Sequence, residues 1–153
     1  MTAYLVDTNL LLRSLDPSTP RGSQALAAIK RLLAQGDELY TTPQILYEFW
    51  SVCTRPPGTA PQGENGLGMS VAQTQAEISR LQALLPLRED NDQIFAQWLR
   101  LVSTHAVTGR RVHDTRLVAA MLVHGITHLL TFNGPDFSRY PEITIVAPTD
   151  VVP

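Results

Sequence analysis

Short apolar runs of strand length alternate with longer runs of helical spacing along the whole chain, and almost nothing between them reads as a hairpin. Tyr4-Leu5-Val6 reads as a buried strand and passes at once into Asp7-Thr8-Asn9 and a helical run, Leu10-Leu11-Leu12-Arg13. Ala25, Leu26, Ala28, Ile29, Leu32 and Leu33 repeat at helical spacing until Gln35-Gly36. Residues 38–41 form a second strand. Thr42-Pro43, a cap residue followed by proline, then opens a helix through Ile45, Leu46, Phe49, Trp50, Val52 and Cys53, which Arg55-Pro56-Pro57 stops. Ser70 caps a helix through Ile78, Leu81 and Leu84. Leu85-Pro86-Leu87 suits a strand only at an edge or end, because proline has no N–H for the ladder. Residues 92–107 are amphipathic, Asp114 opens a helix that ends at Gly125, and residues 127–131 and 143–146 are the last strands. Such alternation predicts an α/β fold: a three-layer α/β/α arrangement around a central, mostly parallel sheet of about five strands.

The 153 residues suffice for a single domain, 1–153, that buries roughly two-thirds of its unfolded surface. Residues 56–68 are crowded with proline and glycine and read as an exposed connection, not a boundary, since neither side holds enough core to stand alone. No apolar run reaches the roughly 18 residues a membrane span requires, and the first residues show no signal-peptide pattern. Cys53 is the only cysteine and lies in an apolar helical stretch, so it is expected as a small core residue in a reducing, cytoplasmic setting. The net charge of −2 decides nothing about nucleic acid by itself. Setting four acids aside as a site, however, leaves ten Asp and Glu against twelve Lys and Arg, a mildly basic surface around an acidic hole.

Four acids sit where such a fold would gather them. Asp7 ends the first strand, at the edge where open α/β sheets place their ligands. Thr8 and Asn9 are better placed to cap the helix expected from Leu10, so no structural duty demands an acid at Asp7. Glu48 lies on the flank of the helix after the second strand, a position where a solvated glutamate is ordinary. Asp114 stands where a helix starts after Gly109-Arg110-Arg111-Val112-His113, which suits an N-cap and still leaves one oxygen for a ligand. Asp136 follows the strand ending at Thr131, in Phe132-Asn133-Gly134-Pro135-Asp136-Phe137, where turn chemistry also explains it. Clustered carboxylates are tolerated when a divalent cation joins them or some hold protons, and an all-oxygen pocket suits Mg²⁺ or Mn²⁺. The histidines give zinc little support, because Gly125 separates His124 from His128, and His105 and His113 read as local residues. Neither a nucleophile elbow nor a GxxxxGK[ST] loop is present.

Leu5-Val6-Asp7-Thr8-Asn9, the helical Glu48, Arg111-Val112-His113-Asp114-Thr115-Arg116-Leu117-Val118-Ala119 and Thr131-Phe132-Asn133-Gly134-Pro135-Asp136-Phe137 together resemble the PIN-domain family. Within it they resemble the VapC-type toxins of bacterial toxin–antitoxin pairs, over nearly the whole chain and in the family's order. The resemblance implies a ribonuclease whose Asp7, Glu48, Asp114 and Asp136 hold one or two Mg²⁺ or Mn²⁺ ions, with water activated by the ion attacking the RNA phosphate. The family varies between the positions of Asn133 and Asp136 for the fourth ligand, and Asp136 is preferred because it is charged. Asn9 and Thr131 would orient the carboxylates, with Asn133 beside them. The resemblance further implies a homodimer and a small antitoxin that inserts a side chain into the pocket. Leu81, Leu84, Trp98, Leu101 and Trp50 are the apolar residues considered for an interface, and Arg13, Arg110, Arg111, Arg116 and Arg139 those considered for RNA phosphates. Two alternatives stand beside this reading. A haloacid-dehalogenase-type phosphatase needs a second acid two residues after the first, where Asn9 stands; a PIN-like scaffold would bind RNA or protein without cutting.

Overall fold

The computed structural model describes residues 1–58 and 65–153. The expected connection at 56–68 therefore lies partly outside the described residues; those described are mostly exposed, from Pro56 to Gly58 and again at Asn65, Leu67 and Gly68.

Four strands, β1 (Ala3–Val6), β2 (Glu38–Tyr40), β3 (His128–Leu130) and β4 (Thr144–Val146), form one sheet in the order β2-β1-β3-β4. Every pairing is parallel: Leu5 lies opposite Tyr40 on one side and Leu129 on the other, and Leu129 opposite Ile145. Helices α1 (Thr8–Ser14), α2 (Pro20–Ala34), α3 (Pro43–Thr54), α4 (Val71–Leu84), α5 (Ile94–Thr104), α6 (Arg111–His124) and α7 (Pro148–Val151) flank it, with a 3-10 turn at Gly134–Phe137. The core joins Leu5 and Val6 of β1, Leu129 and Leu130 of β3, and Leu10, Ile45, Phe49 and Val118 from the helices, all buried. Near-continuous apolar strands are what a sheet covered on both faces requires.

The chain runs from β1 to β2 on one side, then crosses to β3 on the other. The carboxyl ends of β1 and β3 therefore bound the switch point, where a parallel sheet leaves a crevice. Asp7 and Thr131 are the first residues beyond those two ends, and the Asp7 amide donates to the Leu130 carbonyl at 3.0 Å. The fold thus delivers two sequence-distant polar residues to one spot.

The fifth strand is reduced to a bridge. Thr41 donates its N–H to the Pro86 carbonyl at 3.1 Å and accepts from Arg88 at 2.8 Å, pairing with Leu87 beside the β2 edge. Pro86 has no N–H, so the ladder cannot extend through it. Thr42 and Ser70 cap α3 and α4 as expected, Ser70 with Gln73 in a capping box. α5 is shorter than the amphipathic stretch 92–107; His105 closes it and Ala106 turns into the left-handed region at φ 51°.

Cys53 is fully buried, and burial pushes its thiol up to about 11. Of the five apolar residues considered for an interface, Leu81 and Leu101 belong to the core. Trp50 and Trp98 are half-buried, Trp98 donating its indole N–H to the Val112 carbonyl at 2.8 Å, and only Leu84 is exposed. Helical periodicity cannot separate a core stripe from an interface stripe. The large side chains most open to solvent include Phe95, Leu99 and Tyr47, which the sequence did not single out. Among the described residues no helix is long and apolar enough to cross a membrane.

Candidate functional site

Asp7 is both a helix cap and a pocket acid. α1 begins at Thr8, two residues before the expected start, and Asp7 is its N-cap, one carboxylate oxygen accepting from the Thr8 amide at 2.8 Å. The expectation that no structural duty falls on this acid is therefore corrected. Its other oxygen accepts from the Thr131 hydroxyl at 2.7 Å and from the Asn9 side-chain amide at 2.9 Å. Asn9 in turn accepts the Phe132 N–H at 3.2 Å, and the Thr131 hydroxyl accepts the Asn133 N–H at 2.9 Å. The β1 and β3 ends are thus stitched around one carboxylate.

Glu48 reaches the same place from α3. The Thr8 hydroxyl donates to one of its oxygens at 2.9 Å, and the Gln44 amide to the other at 3.3 Å. Gln44 is fixed by donating to the His113 carbonyl at 2.8 Å and accepting from Arg116 at 2.9 Å, while Arg116 also pairs with Asp90 at 2.9 Å. Gln44 went unrecognised in the sequence, and Thr8 was read only as a candidate helix cap. The legible signal was the i, i+4 spacing of Gln44 and Glu48 on one helix face.

Asp114 is not the cap of α6. Three residues of helix precede it, Arg110 stands at the cap position, and Asp114 lies in the first turn, where the helix dipole favours an acid. Arg111 bridges it to the 3-10 turn, one guanidinium nitrogen lying 3.3 Å from Asp114 and 2.9 Å from Asp136. Arg13, Arg110 and Arg139 are exposed around these elements.

All four acids line one open cleft of about 450 Å³, together with Thr8, Asn9, Leu12, Ser51, Val52, Arg55, Asn133 and Phe137. Burial, with the charges of Glu48 and Asp114 added, pushes the Asp7 carboxyl up to about 6 even though the bonds from Thr131 and Thr8 lower it. Burial likewise raises Asp114, with the charge of Asp136 adding to it and Arg111 opposing it. Burial is thus the main reason these carboxyls resist ionisation, with the neighbouring acids adding to it, and a bound cation would favour their charged forms. Among the described residues no three His, Cys, Asp or Glu lie close enough together to hold an ion between them. Mg²⁺ does not need such a cage, since it keeps several waters and is held by one or two carboxylates. In donor chemistry the carboxylate, hydroxyl and amide oxygens on its lining fit Mg²⁺ or Mn²⁺, with no His or Cys among them.

A parallel α/β sheet with acids converging at its switch point defines a class of α/β domain whose chemistry sits at the carboxyl ends of its strands. The PIN-domain sequence profile matches residues 4–143, so the chain belongs to the PIN-domain family. Solved structures agree in fold. A chain of VapBC-1 from nontypeable Haemophilus influenzae superposes with a TM-score of 0.68 at 17% identity, covering 97% of this chain and 99% of that one. A chain of VapBC2 from Rickettsia felis, bound to a DNA fragment from its promoter, gives 0.67 at 14% identity, covering 95% and 98%. VapC20 from Mycobacterium tuberculosis, a toxin that cleaves the sarcin–ricin loop, gives 0.62 at 18% identity, covering 88% and 93%. Among proteins of curated function none matches in sequence.

Proposed function

We propose that the chain is a metal-dependent endoribonuclease, the toxin of a toxin–antitoxin pair, working through Asp7, Glu48, Asp114 and Asp136. One observation carries this reading: four carboxylates from β1, α3, α6 and the 3-10 turn line one cleft at the sheet's switch point. The family membership and the VapC-like fold support it. When bound, Mg²⁺ or Mn²⁺ supplies a water of lowered pKa and offsets charge on the phosphate. The residues prepare that step. Asp7 must lose its proton to act as a ligand, and the Thr131 hydroxyl and the Thr8 amide favour the charged form. Thr8 and Gln44 aim Glu48 into the cleft, and Arg116 steadies Gln44. Arg13, Arg110 and Arg139 are exposed and available to phosphates, and Arg111 stands at the cleft rim. Asn133 lines the cleft and is the alternative to Asp136 as fourth ligand. The partners in this reading are RNA, a small antitoxin and a second copy of the chain, in the cytoplasm.

The test is cleavage of structured and single-stranded RNA by the partner-free protein with Mn²⁺ or Mg²⁺, with EDTA and Asp7→Ala as controls. Cleavage lost in both controls supports the enzyme. Metal binding without cleavage of any RNA favours a PIN-like scaffold instead.

Thr131→Val separates a role in tuning Asp7 from simple structural support. Losing the hydroxyl removes the bond that most lowers the Asp7 carboxyl, so its titration moves above about 6. Cleavage is expected to fall roughly 10- to 100-fold at neutral pH, and less at pH 8.5 than at pH 6.5. A uniform loss across the pH range would assign Thr131 to packing alone.

A further inference from the structure

The cleft acids form two bridged pairs. Thr8 joins Asp7 to Glu48, its amide on one and its hydroxyl on the other. Arg111 joins Asp114 to Asp136, the same nitrogen within 3.3 Å and 2.9 Å of the two carboxylates. The bridges differ in kind. Thr8 is neutral and buried at the start of α1, so it brings no charge to oppose a cation beside it. Arg111 carries a full positive charge on a side chain that is 49% exposed, and it occupies one oxygen of each carboxylate, Asp114 and Asp136, that a cation ligated by both would compete for. Two positive charges cannot share one pair of carboxylate oxygens at contact distance without strong repulsion.

Resting on the metal-dependent reading above, we propose that Arg111 is an internal counter-ion that competes with the divalent cation for Asp114 and Asp136. Metal loading displaces its guanidinium from the cleft, and the displaced group stays at the rim because it stems from the first residue of α6. The half of the cleft built by Asp7 and Glu48 is then the half that a cation enters first, since among the described residues neither acid is in an ion pair, although Arg55 also lines the cleft. Arg111 would keep Asp114 and Asp136 from repelling each other and would set how much metal the site requires. The opposite role is a brace, in which Arg111 holds the two carboxylates in place for the ion. The two roles predict opposite signs for the same substitution.

The measurement is Mn²⁺ affinity of the partner-free protein by calorimetry, without RNA, for wild type, Arg111→Gln, Arg111→Lys and Asp7→Asn. Glutamine keeps a polar group at an exposed helix start but removes the charge. Competition predicts Mn²⁺ binding about three- to tenfold tighter in Arg111→Gln, two partly exposed ion pairs having been removed. It also predicts a larger rise in Tm on adding Mn²⁺. Lysine keeps the charge but cannot span two carboxylates as a guanidinium does, so its affinity should fall between the two. Equal or weaker binding in Arg111→Gln, with the fold intact by circular dichroism, overturns the proposal while wild-type binding that is lost in Asp7→Asn keeps the metal site. Absence of Mn²⁺ binding in wild type overturns both.

Discussion

Asp7→Asn is expected to lower RNA cleavage by roughly a thousandfold or more, yet to leave the protein in EDTA more stable at pH 8 than wild type. The two effects share one cause. Asp7 is 6% exposed, and burial with neighbouring acids pushes its carboxyl up to about 6, whereas in the unfolded chain it titrates near its ordinary value of about 4. Between those values the folded protein holds a proton that the unfolded chain releases. Stability contributed by Asp7 is therefore fully present below about pH 4 and is lost as pH rises through about 6. A carboxyl raised by about two pH units on folding costs about 3 kcal/mol at most once it is ionised. Asparagine has no proton to lose, but its amide nitrogen would meet the Asn9 amide that now donates to Asp7, so the net gain should be nearer 1 kcal/mol. The readout is urea unfolding from pH 4 to pH 8. Wild type should weaken across the window, while Asp7→Asn keeps only the smaller slope left by Asp114, whose carboxyl is also raised. Mn²⁺ should raise the Tm of wild type above pH 6 and leave the variant unmoved. A variant less stable than wild type at every pH would mean that Asp7 is ionised and well satisfied in the fold, contrary to a site strained by charge.

What could be read from the sequence was set by range. Strand–helix alternation and the caps at Thr42 and Ser70 depend on near neighbours, and both appear in the structure. Asp7, Glu48, Asp114 and Asp136 each had an ordinary or weak reading from position alone and were singled out jointly and through the family resemblance, and the fold brings all four to one cleft. Helix starts were read less well. α1 and α6 both begin earlier than expected, which turns Asp7 into a cap and removes that duty from Asp114. α6 starts in a local turn closed by the His113 N–H on the Arg110 carbonyl, whereas the α1 start is tied to contacts across the sheet that no local pattern records, Asp7 being held by Leu130 and Thr131 over 120 residues away. The partners that aim the acids were hidden for the same reason, since Gln44 acts through His113 and Arg116, and Arg111 through a turn that follows β3. The fifth strand was limited by a single atom, the missing N–H of Pro86.

Gly22→Ala is expected to destabilise the fold by about 3 kcal/mol, against the usual sense of that substitution in a helix. Gly22 lies in the first turn of α2, a helical position where alanine ordinarily stabilises by about 0.5–1 kcal/mol. Here a Cβ would stand 1.9 Å from the Asp16 carbonyl oxygen and 2.7 Å from that of Arg13. Both are backbone atoms, one in the last turn of α1 and one in the turn that follows it, so no rotamer change relieves the clash. That turn is also tied locally: Asp16 donates to the Arg13 carbonyl at 3.1 Å, and Thr19 caps α2 through the Gly22 amide at 3.0 Å. Making room for the methyl must therefore break the cap or shift α1, whose first residue follows Asp7. Tm should fall by roughly 6–12 °C, and Mn²⁺ affinity should fall with it if α1 is what moves. Gly36→Ala supplies the contrast. Gly36 has φ +87° with only the Met1 sulfur within 4 Å, at 3.8 Å, so backbone strain alone acts and about 1 kcal/mol is expected, with metal affinity unchanged. A neutral or stabilising Gly22→Ala would show that α1 and α2 do not approach this closely, and that Asp7 is held by the sheet ends alone.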